Sequence, residues 1–279
     1  GVLTDASSGA VAIGLSALGA LTSGTKNTAI GYEAQLSQTT GNRNTVIGHG
    51  ALRTADGGED YNTVIGSEAG YYINNDASHD NVLIGKNALQ GGTGTIKENI
   101  AIGSGTMNGV ASNSQTGTIA IGHNALYALT SGIGNVAIGS GSMAANATSD
   151  FNTAVGTLAL NKLSNDGGTY STAVGFHAGK LCGSDSDQNT LIGAHAGIAM
   201  TSGKYNTTVG SFSGGGITTN SFNTAVGRSA LGEGDVAMNT AVGYEALKVS
   251  TGTSNAAVGL QACESNAAGT NNTSVGKRA

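Results

Sequence analysis

The sequence predicts an all-β fold, a parallel β-solenoid of about sixteen coils of 16–19 residues filling 1–279 as a single repeat domain. Three observations carry this. A short motif, "KNTAIGYEA" at 26–34 and "NTAVGYEAL" at 239–247, recurs without a gap, as "YNTVIGSEAG", "FNTAVGTLAL" and "YNTTVGSFSG". Its glycine falls at Gly14, Gly31, Gly48, Gly66, Gly85, Gly103, Gly122, Gly139, Gly156, Gly175, Gly193, Gly210, Gly227, Gly243, Gly259 and Gly276. A period this short, held from end to end, is the mark of stacked coils rather than globular domains. Finally, Pro and Trp are absent, 47 residues are Gly, aromatics make up 4% and charged residues 10%, a composition that does not build a compact core of this length.

Each part of the repeat has a physical reading, with positions counted from the anchor glycine. Ile or Val stands at −1 in every copy, and a β-branched residue at −3 in all but the copy with Ala256, with a small residue between them. That alternation is a short strand. Asn opens the strand in most copies, replaced by Ala10, Thr118 and Ser171, and stacked Asn side chains can bond one another between coils. The anchor glycine suits a sharp corner. Three residues later comes Ala, Ser or Thr, often followed by Leu, Gly or Met, which reads as a second short strand. Loops such as "TSGTKN", "QTTGNRN", "NDGGTY" and "GSDSDQN" absorb the variation in length. The regular placing of Ile and Val argues against disorder. With a rise of about 4.8 Å per coil, the stack is expected to be on the order of 75 Å long.

The two faces of the strand divide as −1 with −3 and −2 alone. Ile and Val at −1 are expected inside. The −2 residues are then expected outside, and they form a small apolar stripe: Ala12, Ala29, Ala101, Ala120, Ala137, Ala154, Ala173, Ala225, Ala241 and Ala257, with Val46, Val64, Leu83 and Leu191. A stripe of that height is too large to leave in water. It predicts a homo-oligomer packed along Ala29, Ala101, Ala120, Ala137, Ala154, Ala173, Ala225 and Ala241; threefold symmetry is expected, and the spacing alone also allows a dimer.

"NTAVGYEAL", "NTAVGTLAL" and "NTAVGRSAL", with T-S-G loops elsewhere in the chain, resemble the head repeats of trimeric autotransporter adhesins, and still more the long repeats of phage and other contractile-injection tail fibres. The resemblance covers essentially the whole chain. It implies a homotrimeric fibre of left-handed parallel β-rolls at the surface of a cell or particle, serving as shaft or receptor-binding head. The repeat here is about 17 residues where the adhesin head unit has about 14, and no coiled-coil stalk or membrane anchor is evident. The chain reads as a segment of a longer fibre.

Other functions find less support. A net charge of −5 with scattered Lys and Arg argues against a nucleic-acid partner. No stretch has the length for membrane insertion as a helix. Of the five histidines (His49, His79, His123, His177 and His195), none has a metal-binding spacing, and neither a nucleophile elbow nor a nucleotide loop is present, so no enzyme and no catalytic or cofactor-binding residue is predicted. Acidic loops with Asp56, Glu59 and Asp60, with Asp76 and Asp80, and with Asp185 and Asp187 offer oxygen ligands for Ca2+ but lack an EF-hand pattern, and solvated turns are the default reading. Cys182 and Cys263 lie about five coils apart, too far for an intrachain disulfide; Cys263 stands where Leu is usual and reads as a small buried hydrophobe. Tyr61, Phe151, Tyr170, Tyr205 and Phe222 share one place before their strands and are the candidate contacts to a host-cell surface or glycan receptor. The alternative to an adhesive fibre is a carbohydrate-depolymerising one, which would need paired carboxylates in a groove between chains. Ice binding would need the Thr column at −3 to face out, whereas it shares a face with Ile and Val and is expected to turn inward.

Overall fold

A computed structural model describes residues 9–109, 114–163, 169–266 and 268–279. The chain is an all-β parallel β-solenoid of about 15 turns, with no helix among the described residues, and so none long enough to cross a membrane. The described residues fall into two compact units, divided between Asn135 and Val136. In the first, three-residue strands run from Val11–Ile13 through Thr28–Ile30, Thr45–Ile47, Thr63–Ile65, Val82–Ile84 and Ile100–Ile102 to Ile119–Ile121. Each pairs in parallel with the next, so that Ala29 lies beside Val46 and Ile30 beside Ile47. The second unit repeats this from Val136–Ile138 to Thr273–Val275, with Ala154 beside Ala173 and Val155 beside Val174. The short pairs Ile96–Lys97 with Gln115–Thr116, and Val249–Ser250 with Ser265–Asn266, add parallel ladders in the loops.

The faces of the strands are the reverse of the sequence expectation. Ala29, Ala101, Ala120, Ala137, Ala154, Ala173, Ala225 and Ala241 are fully buried inside a single chain, with 0% exposure. They cannot form a seam between chains. Ile and Val at −1 are half-buried or exposed on the outer surface, as are the residues at −3, from Thr28 and Ile30 to Thr240 and Val242. The reason is the width of the coil. Its lumen must hold the −2 residue, the small residue at +3 and the side chain at +4 together, so a small −2 residue commonly accompanies a large +4 residue, as Ala154 does Leu160 and Ala225 does Leu231, while the coils with Leu83 and Leu89 and with Val46 and Leu52 are filled from both walls. In three of the copies with a larger −2 residue, +4 is glycine: a Cβ on Gly197 would meet Leu191 Cδ2 at 2.9 Å, one on Gly214 would meet Thr208 Cγ2 at 2.5 Å, and Leu191 also leaves no room for a Cβ on Gly179 of the preceding coil (2.6 Å to Cδ1).

The second predicted strand is a stacked turn. Its residues at +2 and +4 are left-handed, as at Leu158 (φ 55°) and Leu160 (φ 46°), which no strand accommodates. The left-handed region costs a non-glycine residue about 1–2 kcal/mol. Hydrogen bonds to the neighbouring coils offset this, Leu158 N–H donating to Ser140 O and Leu160 N–H to Ala178 O, both at 3.0 Å.

The Asn column forms as expected. Asn206 Oδ1 accepts the backbone N–H and the Nδ2 of Asn223, both at 3.0 Å, while its own Nδ2 donates to Asn189 Oδ1 (3.2 Å) and Asn220 O (3.0 Å). Asn27, Asn44, Asn62, Asn81 and Asn99 repeat the pattern in the first unit. Asn206 thus fills its hydrogen-bonding capacity while buried, and ties its strand to the loop of the next coil. Asn206→Ala orphans the Asn223 N–H and is expected to cost about 3 kcal/mol, read as a lowered urea midpoint; a loss below about 1 kcal/mol would show that the column does not hold the coils.

Candidate contact surfaces

The outward face of the strands is a regular surface in each unit. In the second unit, Thr153 and Val155, Thr172 and Val174, Thr190 and Ile192, Thr207 and Val209, Thr224 and Val226 stack in register as two columns. No charged residue interrupts them. Ile138 (37%), Ile192 (39%) and Val258 (42%) remain well exposed in the single chain. The expectation that the threonines turn inward is overturned with that for Ile and Val, because both occupy the face opposite the buried alanines.

The aromatic residues at −5 stand close to where their common spacing puts them. All take the left-handed conformation, from Phe151 (φ 56°) to Phe222 (φ 64°), which turns the side chain out of the coil. Phe151 stacks on Tyr170 with centroids 5.7 Å apart, and Tyr205 on Phe222 at 5.0 Å. Tyr61 lies under the Arg43 guanidinium, 5.1 Å from the ring centroid, and receives a hydrogen bond from it. The rings therefore pack first on neighbouring coils, and only the outward edges and terminal faces are open to a ligand. Gln188 occupies the same place between the two stacked pairs.

Sequence reasoning missed a second stack beside the corner. His195 lies flat on Phe212 (4.6 Å, 2°), Phe176 on His177 (3.7 Å), and the two imidazoles meet edge to face at 5.2 Å. Burial, then Lys180 and His195, hold His177 below the usual imidazole range. The signal was in the register, since His177, His195 and Phe212 all stand at +2 in consecutive copies. His49 likewise stacks on Tyr32 at 5.3 Å.

Cys182 is buried in the lumen, and burial pushes its thiol up to about 12; Cys263, in the copy before the last, is only half-buried, and both are free. Most acidic loop residues have ordinary partners. Asp60 Oδ1 accepts the Asn42 N–H, Asp80 meets His79 Nδ1 at 2.8 Å, and Asp187 pairs with Lys204 Nζ at 2.8 Å. Asp56, Glu59 and Asp76, from two successive loops, instead converge, each with a carboxylate oxygen within 4.8 Å of the other two. Burial raises the Glu59 carboxyl above the usual range, against the pull of the amides of Glu59, Gly57 and Asn75.

Compared with known proteins, the chain matches no family model and no curated protein.

Proposed function

We propose that this chain is the shaft or receptor-binding head of an adhesive, extracellular homotrimeric fibre, and that copies meet along the outward Ile, Val and Thr columns. The observation that carries the reading is this uninterrupted face on a parallel sheet. Parallel sheets occur almost only with both faces covered, and here the lumen covers one. Branched apolar side chains at every coil, with no charge among them, suit packing against identical columns about an axis. The resemblance to adhesin heads and tail fibres supports the same arrangement. Loops and the edges of the aromatic pairs then face outward from the assembly, where weak contacts repeated on three chains add up through avidity.

The native assembly, displayed on beads, is expected to be retained on host-cell or polysaccharide surfaces more strongly than the same protein dissociated into single chains. Retention no greater than that of an unrelated protein on every surface tried would remove the adhesive role.

The outward Thr column supports ice binding as a second reading. Thermal hysteresis, measured on assembled and dissociated chains, separates the two: the fibre reading predicts none from the assembly, in which the column is covered.

A further inference from the structure

We propose that Asp56, Glu59 and Asp76 bind one hard divalent cation of the calcium class, clamping two successive loops of the first unit together. The three carboxylates each present an oxygen within 4.8 Å of the other two. Calcium holds its oxygen ligands at about 2.3–2.6 Å, so oxygens on opposite sides of one ion stand up to about 5 Å apart. Three oxygens with this spread can therefore share a single calcium. Magnesium, at about 2.0–2.1 Å and with strict octahedral demands, requires a tighter set. The absence of imidazole or thiolate from the trio disfavours zinc and copper.

Acidic clusters are common on surfaces, and what distinguishes this one is Glu59. Its side chain is fully buried, and Oε1 has no hydrogen-bond partner. Oε2 is already held, by the Gly57 N–H at 3.1 Å and Gln38 Nε2 at 3.3 Å. A buried carboxylate oxygen left without a donor costs about 1–3 kcal/mol or more, a cost that a bound cation removes. Among the described residues, no ion pair involves any of the three acids.

The backbone is shaped to the same end. Asp76 Oδ1 accepts the Gly58 N–H at 3.2 Å, which holds the loop of the following coil against the turn containing Asp56 and Glu59. A Cβ on Gly57 would stand 1.8 Å from Asp76 Oδ1, so only glycine there lets Asp76 approach. Asp56 and Asp76 are exposed, leaving room for water ligands to complete the sphere, while Glu59 anchors the site from within.

Calorimetric titration of the EDTA-treated, full-length chain with CaCl2 tests this. One Ca2+ per chain is expected, with a dissociation constant on the order of 10⁻⁴–10⁻³ M, the range of extracellular calcium modules, and a higher unfolding temperature in its presence. Glu59→Gln and Asp76→Asn are each expected to weaken binding about tenfold or more, while Asp150→Asn, in a loop of the second unit, leaves it unchanged. Should Glu59→Gln fail to fold, the exposed Asp56→Asn decides in its place, with the same loss expected. The proposal is overturned if the wild type shows neither heat nor a thermal shift at about 10 mM CaCl2, well above the weak end of such sites. It is equally overturned if the folded variants bind as the wild type does, since the ion then sits elsewhere.

Discussion

Gly175→Ala is expected to unfold the coils around it, with a loss of about 3–5 kcal/mol. Gly175 has φ +138°, a region that L side chains rarely adopt, and strain of that kind costs about 1–3 kcal/mol. An added Cβ would also stand 2.5 Å from Gly193 O and 2.6 Å from Gly193 C, backbone atoms of the next coil that cannot swing away. Overpacking adds about 1–3 kcal/mol more. Because each coil rests on its neighbours, the damage is expected to spread as the loss of a block of coils rather than as a local ripple. Gly117→Ala is the control: it too has positive φ (+63°), but no atom lies within 4 Å of the added Cβ, and about 1 kcal/mol is expected. Urea unfolding followed by circular dichroism reads both. Equal small losses would mean that the stack tolerates wider corners than its geometry implies.

The second large effect separates the faces of one strand. Ala173 and Val174 are adjacent, yet Ala173 is sealed in the lumen and Val174 lies on the outer surface. Ala173→Asp buries an unpaired charge among apolar side chains and is expected to cost about 3–5 kcal/mol, enough to unfold the surrounding coils at room temperature. Val174→Asp leaves the charge in water in the isolated chain, where surface changes usually stay within about 0.5 kcal/mol. In an assembly along this face, the same aspartate meets its copies with little solvent between them, and association is lost while the fold is kept. Circular dichroism and sedimentation on the two variants give opposite patterns. If Ala173→Asp were to fold normally and Val174→Asp to unfold, the assignment of faces would be wrong.

Much of the fold was legible in the sequence, because the repeat exposes what each position requires. Ile and Val flanking a small residue gave the strand, Gly175 and its equivalents the corner, and Asn206 with its neighbours the buried column. The orientation of the strand was not legible from alternation, which defines two faces without ranking them. The rule that larger apolar residues go inside fails here because the lumen is narrow and already filled from the other wall by Leu160, Leu231 and their equivalents. The pairing of Leu191 with Gly179 and Gly197 carried that information, as a trade of volume between −2 and +4. The second strand was misread because Leu158 and Leu160 give no sign of a left-handed backbone; inter-coil hydrogen bonds impose it. Among the acidic residues, the spacing of Asp56, Glu59 and Asp76 looked like any solvated turn, since nothing in it shows that Glu59 folds inward.

Sedimentation equilibrium on the wild type and Val174→Asp is the most direct test of the central claim, that the outward Ile, Val and Thr columns are where copies of this chain meet. The account predicts three chain masses for the wild type, and a folded particle of one chain mass for the variant. A wild type that stays a single, fully folded chain across the concentration range would contradict it.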